Sequence, residues 1–317
     1  MTLQCAFSGK NVLLLLNPSS RSGGEGEAEV TRGIEALRRA GCSVEVIETE
    51  SPDHAERTIR EQCDRVDLVA LGGGDGTISA CAGVLKDCKL PFAVLPLGTA
   101  NDLARSLGIL TLEQAFSAIL SGHTATIDLA EINGQYFFNV ANLGLGVRVT
   151  EALTPELKRR WGVFSYLKAV SEALTHRHQF RVDLDVDGKR HHFRSIQLAV
   201  GSGRFYGGGN VIDEAAAIND GLLHMYSVKP QGVMELLTLA PMLRLGQHRV
   251  SARVFSASGR KMRIDTRPSA MAVHADGEPV GQTPVTISVC ADVLTVVVPE
   301  QPAAALQDAD EAKADSE

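Results

Sequence analysis

The sequence predicts two textures in one chain: an α/β half built on a parallel sheet, followed by a mostly antiparallel β half. Three observations predict this. Apolar runs near the start each pass through a polar or glycine-rich turn into residues at helical spacing, which is the signature of strand–turn–helix units. Beyond about residue 127 the pattern changes to period-two alternation punctuated by Asn-Gly and Asp-Gly pairs, the signal of hairpins. The chain's 317 residues are enough for two cores.

The units follow in order. A strand over residues 12–16 leads through Asn17-Pro18-Ser19-Ser20-Arg21-Ser22-Gly23-Gly24 into a helix over 27–40. A second strand over 44–47 ends near Thr49, and Ser51-Pro52-Asp53 then caps a helix with proline at its first position. A third strand over 66–71 enters Leu71-Gly72-Gly73-Gly74-Asp75-Gly76-Thr77-Ile78, after which Ile78, Cys81, Ala82 and Leu85 recur at helical spacing. A fourth over 92–95 enters Leu95-Pro96-Leu97-Gly98-Thr99-Ala100-Asn101-Asp102, where Asn101 or Asp102 is expected to cap the next helix through its side-chain oxygen. Strand–helix alternation up to about residue 122 implies a parallel sheet covered on both faces, with these turns along one edge, where open α/β sheets bind ligands.

The second half opens with a hairpin, Leu129-Ala130-Glu131-Ile132 and a run over 136–140 flanking Asn133-Gly134. Alternating runs follow over 180–186, 192–200, 222–228, 250–255, 261–264 and 285–298, with helices expected over 155–174 and 234–245. The expected division is 1–130, 131–300 with a last strand that can return to the first half, and a disordered acidic tail over 301–317.

The glycine cluster carries the first chemical signal. Four glycines in a strand-to-helix turn let a ligand approach the main chain closely, and the helix behind it offers unpaired N–H groups to a phosphate. Asp75 would repel phosphate unless a cation lies between them, so the turn suits a nucleotide with its metal. Thr99 is placed to offer a hydroxyl to the same ligand. A net charge of −7 argues against broad nucleic-acid binding and gives no global attraction to anionic lipid, so any membrane contact must be local. Six cysteines without CxxC pairs read as reduced, small apolar residues. No run is long enough to cross a membrane, and a cytoplasmic location is the default expectation.

Four motifs in this order, Gly72-Gly73-Gly74-Asp75-Gly76-Thr77, Pro96-Leu97-Gly98-Thr99-Ala100-Asn101-Asp102, Ile218-Asn219-Asp220-Gly221-Leu222-Leu223 and Asp276-Gly277-Glu278-Pro279, resemble the bacterial diacylglycerol-kinase-like lipid kinases, in their YegS-type branch. The resemblance spans residues 11 to about 298. It implies an NAD-kinase-like nucleotide-binding domain, a β-sandwich-like second domain and an active site in the cleft between them. ATP is then expected on Gly74, Asp75, Gly76, Thr77, Ile78, Ser79 and Ala80, on Thr99 and Thr49, with Asn17 and residues 22–24 along the triphosphate. The Asp-Gly-Glu motif implies a general base, with Asp276 and Glu278 as candidates and Glu278 favoured by the family pattern. Asp220, with backbone carbonyls of Ala217 and Leu222, resembles the family's structural Mg²⁺ or Ca²⁺ site. Asp128 matches an acidic position linked through water to a metal near Asp75.

Two departures stand out. Many relatives place Asn-Glu where this chain has Ser79-Ala80, and Gly146 replaces an acidic residue in Asn142-Leu143-Gly144-Leu145-Gly146. The implied activity is ATP- and Mg²⁺-dependent phosphorylation of a glycerolipid hydroxyl, of the diacylglycerol or phosphatidylglycerol type. The acceptor is expected at the inner membrane face, met peripherally, and the oligomeric state is open. A sphingoid or soluble alcohol as acceptor, and a nucleotide- and lipid-binding regulator without turnover, are the alternatives. Lys158-Arg159-Arg160-Trp161 and the glycine-rich stretch 201–210 are the candidate lipid contacts.

Overall fold

The structure, a computed structural model, describes residues 7–20, 24–145, 179–247 and 251–314. The expected helix over 155–174, the Lys158–Trp161 cluster, Gly146, and Ser22 and Gly23 lie outside the described residues.

The first half is the predicted α/β alternation: β1 (Asn11–Leu16), α1 (Gly24–Arg39), β2 (Ser43–Glu48), α2 (Pro52–Gln62), β3 (Leu68–Gly73), α3 (Asp75–Cys88), β4 (Phe92–Pro96), α4 (Asp102–Leu107) and α5 (Leu112–Ser121). The four strands are parallel in the order β2-β1-β3-β4. β1 and β3 are buried almost throughout, as central strands covered on both faces must be. Ser51 accepts a hydrogen bond from the His54 N–H with Pro52 just inside the helix, and Thr111 with Gln114 forms a reciprocal capping box at α5. Cys63, Cys81, Cys88 and Cys290 form no disulfide among the described residues. Burial pushes the Cys81 thiol up to about 12, so it behaves as a small apolar core residue.

The second half contains β5 (Thr124–Ile132), β6 (Gln135–Phe137), β7 (Val140–Gly144), β8 (Phe180–Val186), β9 (Lys189–Ser195), β10 (Gln197–Gly201), β11 (Phe205–Tyr206), β12 (Asn210–Val211), β13 (Leu223–Val228), α6 (Val233–Leu245), β14 (Val254–Gly259), β15 (Lys261–Arg267), β16 (Ala272–Ala275), β17 (Glu278–Gln282) and β18 (Val285–Val297), and the chain ends in α7 (Ala304–Ala314). An antiparallel sheet in the order β14-β13-β10-β7-β16-β17 faces a second layer, β18-β15-β8-β9 with β5 and β6. One apolar cluster with Leu143, Leu198 and Met225 from the first layer and Leu184, Ile264 and Ile287 from the other fills the sandwich.

β18 joins the halves. Its first part pairs with β15 and β5, and its last part runs between β5 and β4, with Val296 opposite Phe92. A bulge separates the two parts, with Asp292 at φ +53°. The fully buried Asp128 carboxylate pins it, accepting from the Asp292 N–H at 2.9 Å and the Gly221 N–H at 2.6 Å.

Three expectations need correction. The run over 136–140 breaks at Phe138 and Asn139, whose N–H groups turn to Asp276. The run over 192–200 breaks at Ile196, where the chain passes from one sheet to the other and the Ser195 hydroxyl bonds the Gln197 backbone. The tail is not disordered through residue 314. Alanine-rich residues favour helix, Leu306 buries to 1 % exposure in the first core, and Asn219 Nδ2 holds the Leu306 carbonyl at 3.1 Å.

Candidate active site

β3 and β4 are neighbours in register, Gly73 beside Pro96, so the turns that leave them lie side by side. They touch backbone to backbone: a Cβ on Gly98 would stand 2.4 Å from Gly74 Cα. A Cβ on Gly72 would meet Leu16 at 2.5 Å, and one on Gly73 would meet Thr77 at 2.9 Å. Packing therefore demands these three glycines. Gly76 differs, because a Cβ there meets nothing within 4 Å. It lies in the first turn of α3, whose N-cap, Gly74, brings no side chain to the free N–H groups. That end of the helix is open to an anion.

The third turn joins the first. Asn17 Nδ2 donates to Thr77 Oγ1 at 3.1 Å, and the Asn17 N–H to the Gly72 carbonyl at 2.8 Å. Thr99 is exposed in the β4 turn, as is Ala80 in α3. Ile78 is a core residue, 1 % exposed, so only its backbone borders the turn. Thr49 is 3 % exposed at the end of β2, and its hydroxyl faces inward to the Leu16 carbonyl at 3.3 Å.

Neither Asn101 nor Asp102 caps α4 with its side chain, contrary to expectation. Asn101 adopts φ +51° at the N-cap, which turns its amide back on Gly98; both the Gly98 N–H and carbonyl are bonded at 2.9 Å. Asp102, 3 % exposed, accepts from the N–H groups of Gly208 at 2.9 Å and Gly209 at 2.8 Å. It tethers a loop of the second half whose residues 207–209 all have positive φ. Burial pushes the Asp102 carboxyl above the usual carboxylate range, the Gly208 amide opposes that, and the charge of Asp75 adds to it.

Asp75 Oδ1 accepts from the Leu103 N–H at 3.1 Å and from Asn139 Nδ2 at 3.4 Å. Asn139, 4 % exposed, leaves its own Oδ1 buried without a partner among the described residues. An orphaned amide oxygen beside a carboxylate is a fitting pair for a hard cation that also binds phosphates. Asn139 was not singled out from the sequence; its signal was a lone amide inside the apolar run Tyr136-Phe137-Phe138-Asn139-Val140.

Asp276 and Gly277, at φ +46° and +93°, form the two-residue turn between β16 and β17. The Asp276 carboxylate accepts from the N–H groups of Phe138 at 2.9 Å, Asn139 at 3.1 Å and Val140 at 2.9 Å, and from the Ser79 hydroxyl at 2.5 Å. Burial pushes this carboxyl up, against the four donors led by Ser79. Ser79 is thus the link between α3 and the β16–β17 hairpin. Two residues on, Glu278 starts β17 exposed and without a bonded partner among the described residues.

Around Asp220 the contacts are of another kind. Its carboxylate accepts from the Ala217 N–H at 3.0 Å, the Leu222 N–H at 2.9 Å and His224 Nε2 at 2.7 Å. The Ala217 and Leu222 N–H groups thus close the loop on the Asp220 carboxylate, and three of its four lone-pair directions face donors. Among the described residues there is no group of three or more His, Cys, Asp or Glu placed to hold a metal.

Comparison with known proteins adds the wider setting. Residues 11–132 match the family described as "Diacylglycerol kinase catalytic domain", and residues 139–298 match "YegS C-terminal NAD kinase beta sandwich-like domain". A curated protein of Enterobacter sp. (strain 638), named "Probable lipid kinase YegS-like", is 32% identical over 90% of this chain and 95% of its own length. One of the same name from Pseudomonas aeruginosa is 32% identical over 92% and 95%. A solved diacylglycerol kinase structure from Bacillus anthracis str. Sterne shares the fold, with a TM-score of 0.72 at 22% identity over 92% of this chain and 97% of that one. A second solved chain from that organism is 25% identical and reaches 0.79 over 92% and 96%.

Proposed function

We propose, because this chain belongs to the YegS-like lipid kinase family with its diacylglycerol kinase catalytic domain, that it transfers the γ-phosphoryl group of ATP to a hydroxyl of a glycerolipid. The acceptor class is the diacylglycerol or phosphatidylglycerol type. The observation that carries the assignment of roles is the division of labour in Asp276-Gly277-Glu278. Asp276 is saturated by four donors, and Glu278 is open.

Glu278 is the general base. Its carboxylate takes the proton from the lipid hydroxyl as that oxygen attacks the γ-phosphorus. The bond from phosphorus to the β–γ bridging oxygen breaks, and ADP leaves with its electron pair. Phosphoryl transfer asks mainly for positioning and charge stabilisation. The adjoining turns at Gly74–Thr77 and Gly98–Asn101 offer backbone N–H groups and Thr99 to the nucleotide. Mg²⁺, when bound, neutralises phosphate charge, and Asp75 with Asn139 Oδ1 are the groups that would hold it. Asp276, through Ser79 and the 138–140 backbone, fixes the hairpin that carries Glu278 against α3.

The test is transfer from γ-labelled ATP with Mg²⁺ to diacylglycerol, phosphatidylglycerol, sphingosine and a soluble alcohol in parallel. Labelled glycerolipid is the expected product. Label only on sphingosine or the soluble alcohol would move the acceptor class, and no labelled product at all would leave a nucleotide- and lipid-binding regulator.

A further inference from the structure

The outer face of β8, β9 and β15 gathers exposed cations from three neighbouring strands. Pairing places Arg267, Arg181 and Arg194 directly abreast across the three strands. The next row is Asp265, Asp183 and His192, and the one after it Arg263, Asp185 and Arg190, with Lys261 beyond on β15. All six cations are exposed, against three half-buried carboxylates. Like charges directly opposite on neighbouring strands destabilise a sheet, so the arginine row is not explained by folding. The carboxylate nearest it, Asp183, already accepts from His192 Nδ1 at 2.6 Å and lies 3.9 Å from Arg267. Arg181 and Arg194 make no ion pair among the described residues. Arg181, Arg194 and Arg267, with Asp183 and His192, line a cleft of about 360 Å³ at this end, while Val182 and Phe193 between them pack into the sandwich core.

We infer that this face docks on an anionic phospholipid surface. A chain of net charge −7 has no general attraction to such a surface, so the cations must act as a local patch. Guanidinium groups set abreast match the phosphates of a headgroup layer. That the polyanion is a membrane rather than another one rests on the lipid kinase reading above.

The experiment is co-sedimentation of the full chain with phosphatidylcholine vesicles and with vesicles containing a quarter phosphatidylglycerol. Binding to the anionic vesicles alone, weakening as salt rises, is expected. R181A/R194A/R267A together should lower the partition coefficient about 100-fold, with the melting temperature no lower than in the wild type and phosphorylation of a short-chain acceptor in solution unchanged. R32A/R39A/R57A, three exposed arginines of α1 and α2, should change it by no more than a few-fold. Unchanged partitioning of the first triple variant, equal binding to neutral vesicles, or an arginine-dependent affinity for a DNA duplex in place of vesicles would each overturn the inference. A chain that docks but phosphorylates no acceptor would instead count against the kinase reading alone.

Discussion

The turns at residues 72–77 and 98–101 and the loop at residues 217–222 use the same materials, glycine beside an acidic side chain, and end in opposite states. At the first, Asp75 receives donors on one oxygen only, Asn139 Oδ1 is orphaned beside it, and the space over Gly76 is empty. At the second, Asp220 meets three protein donors, and the neighbouring Gly221 N–H is held by Asp128. The same contrast recurs within three residues of the β16–β17 hairpin, where Asp276 is saturated and Glu278 is open. A carboxylate enclosed by N–H donors organises backbone, whereas one left with free lone pairs beside a cleft can meet a ligand or a proton.

The strongest way to break the contrast is at the hairpin. Glu278→Gln should cut turnover by about 10²–10⁴-fold, the usual worth of a general base, while an ATP-analogue titration and the melting curve stay as in the wild type. A fully active Glu278→Gln beside a folded but inactive Asp276→Asn would exchange the two roles. Asp276→Ala should act on the fold instead. It strips the acceptor from three backbone N–H groups, and denaturant unfolding should show a loss of about 3–5 kcal/mol.

The loop gives a smaller effect of the same type. Asp220→Ala should cost about 1–3 kcal/mol, and neither Mg²⁺, Ca²⁺ nor a chelator should move the melting temperature of the wild type through this site. A calcium-dependent rise that disappears in Asp220→Ala would make the loop a cation site after all. The smallest effect is a pH dependence at Asp102. Its folded pKa is raised, so its contribution is fully present below the ordinary carboxylate pKa and is lost as pH rises through the folded value. The stability of the wild type relative to Asp102→Asn should therefore fall on going from acid to neutral pH. A difference that grows over that range would mean the Gly208 and Gly209 amides outweigh burial.

Much of this was legible in the chain because it is local. Ser51-Pro52, Asn133-Gly134 and the glycines ahead of α3 act within a few residues, where spacing and backbone preference decide the outcome. What escaped depends on partners far along the chain. Asp276 meets donors 136 to 138 residues away, and no periodicity marks that. Asn101 has the composition of a cap, yet a positive φ aims its amide at Gly98. The last residues look like solvent-loving tail until Leu306 finds a place in the first core. Asn139 escaped because a single polar residue in an apolar run carries no pattern of its own.

The course of β18 bears on how the molecule is made. Phe92 stands opposite Val296, so β4 gains its second neighbour only from residues synthesised some two hundred positions later. A growing chain can lay down β1 to β4 and α1 to α5 early, but the nucleotide half keeps an unpaired edge until Val296 has emerged. Truncation after the first half should accordingly leave an aggregation-prone fragment rather than a free-standing nucleotide-binding domain. The half that starts first is finished last.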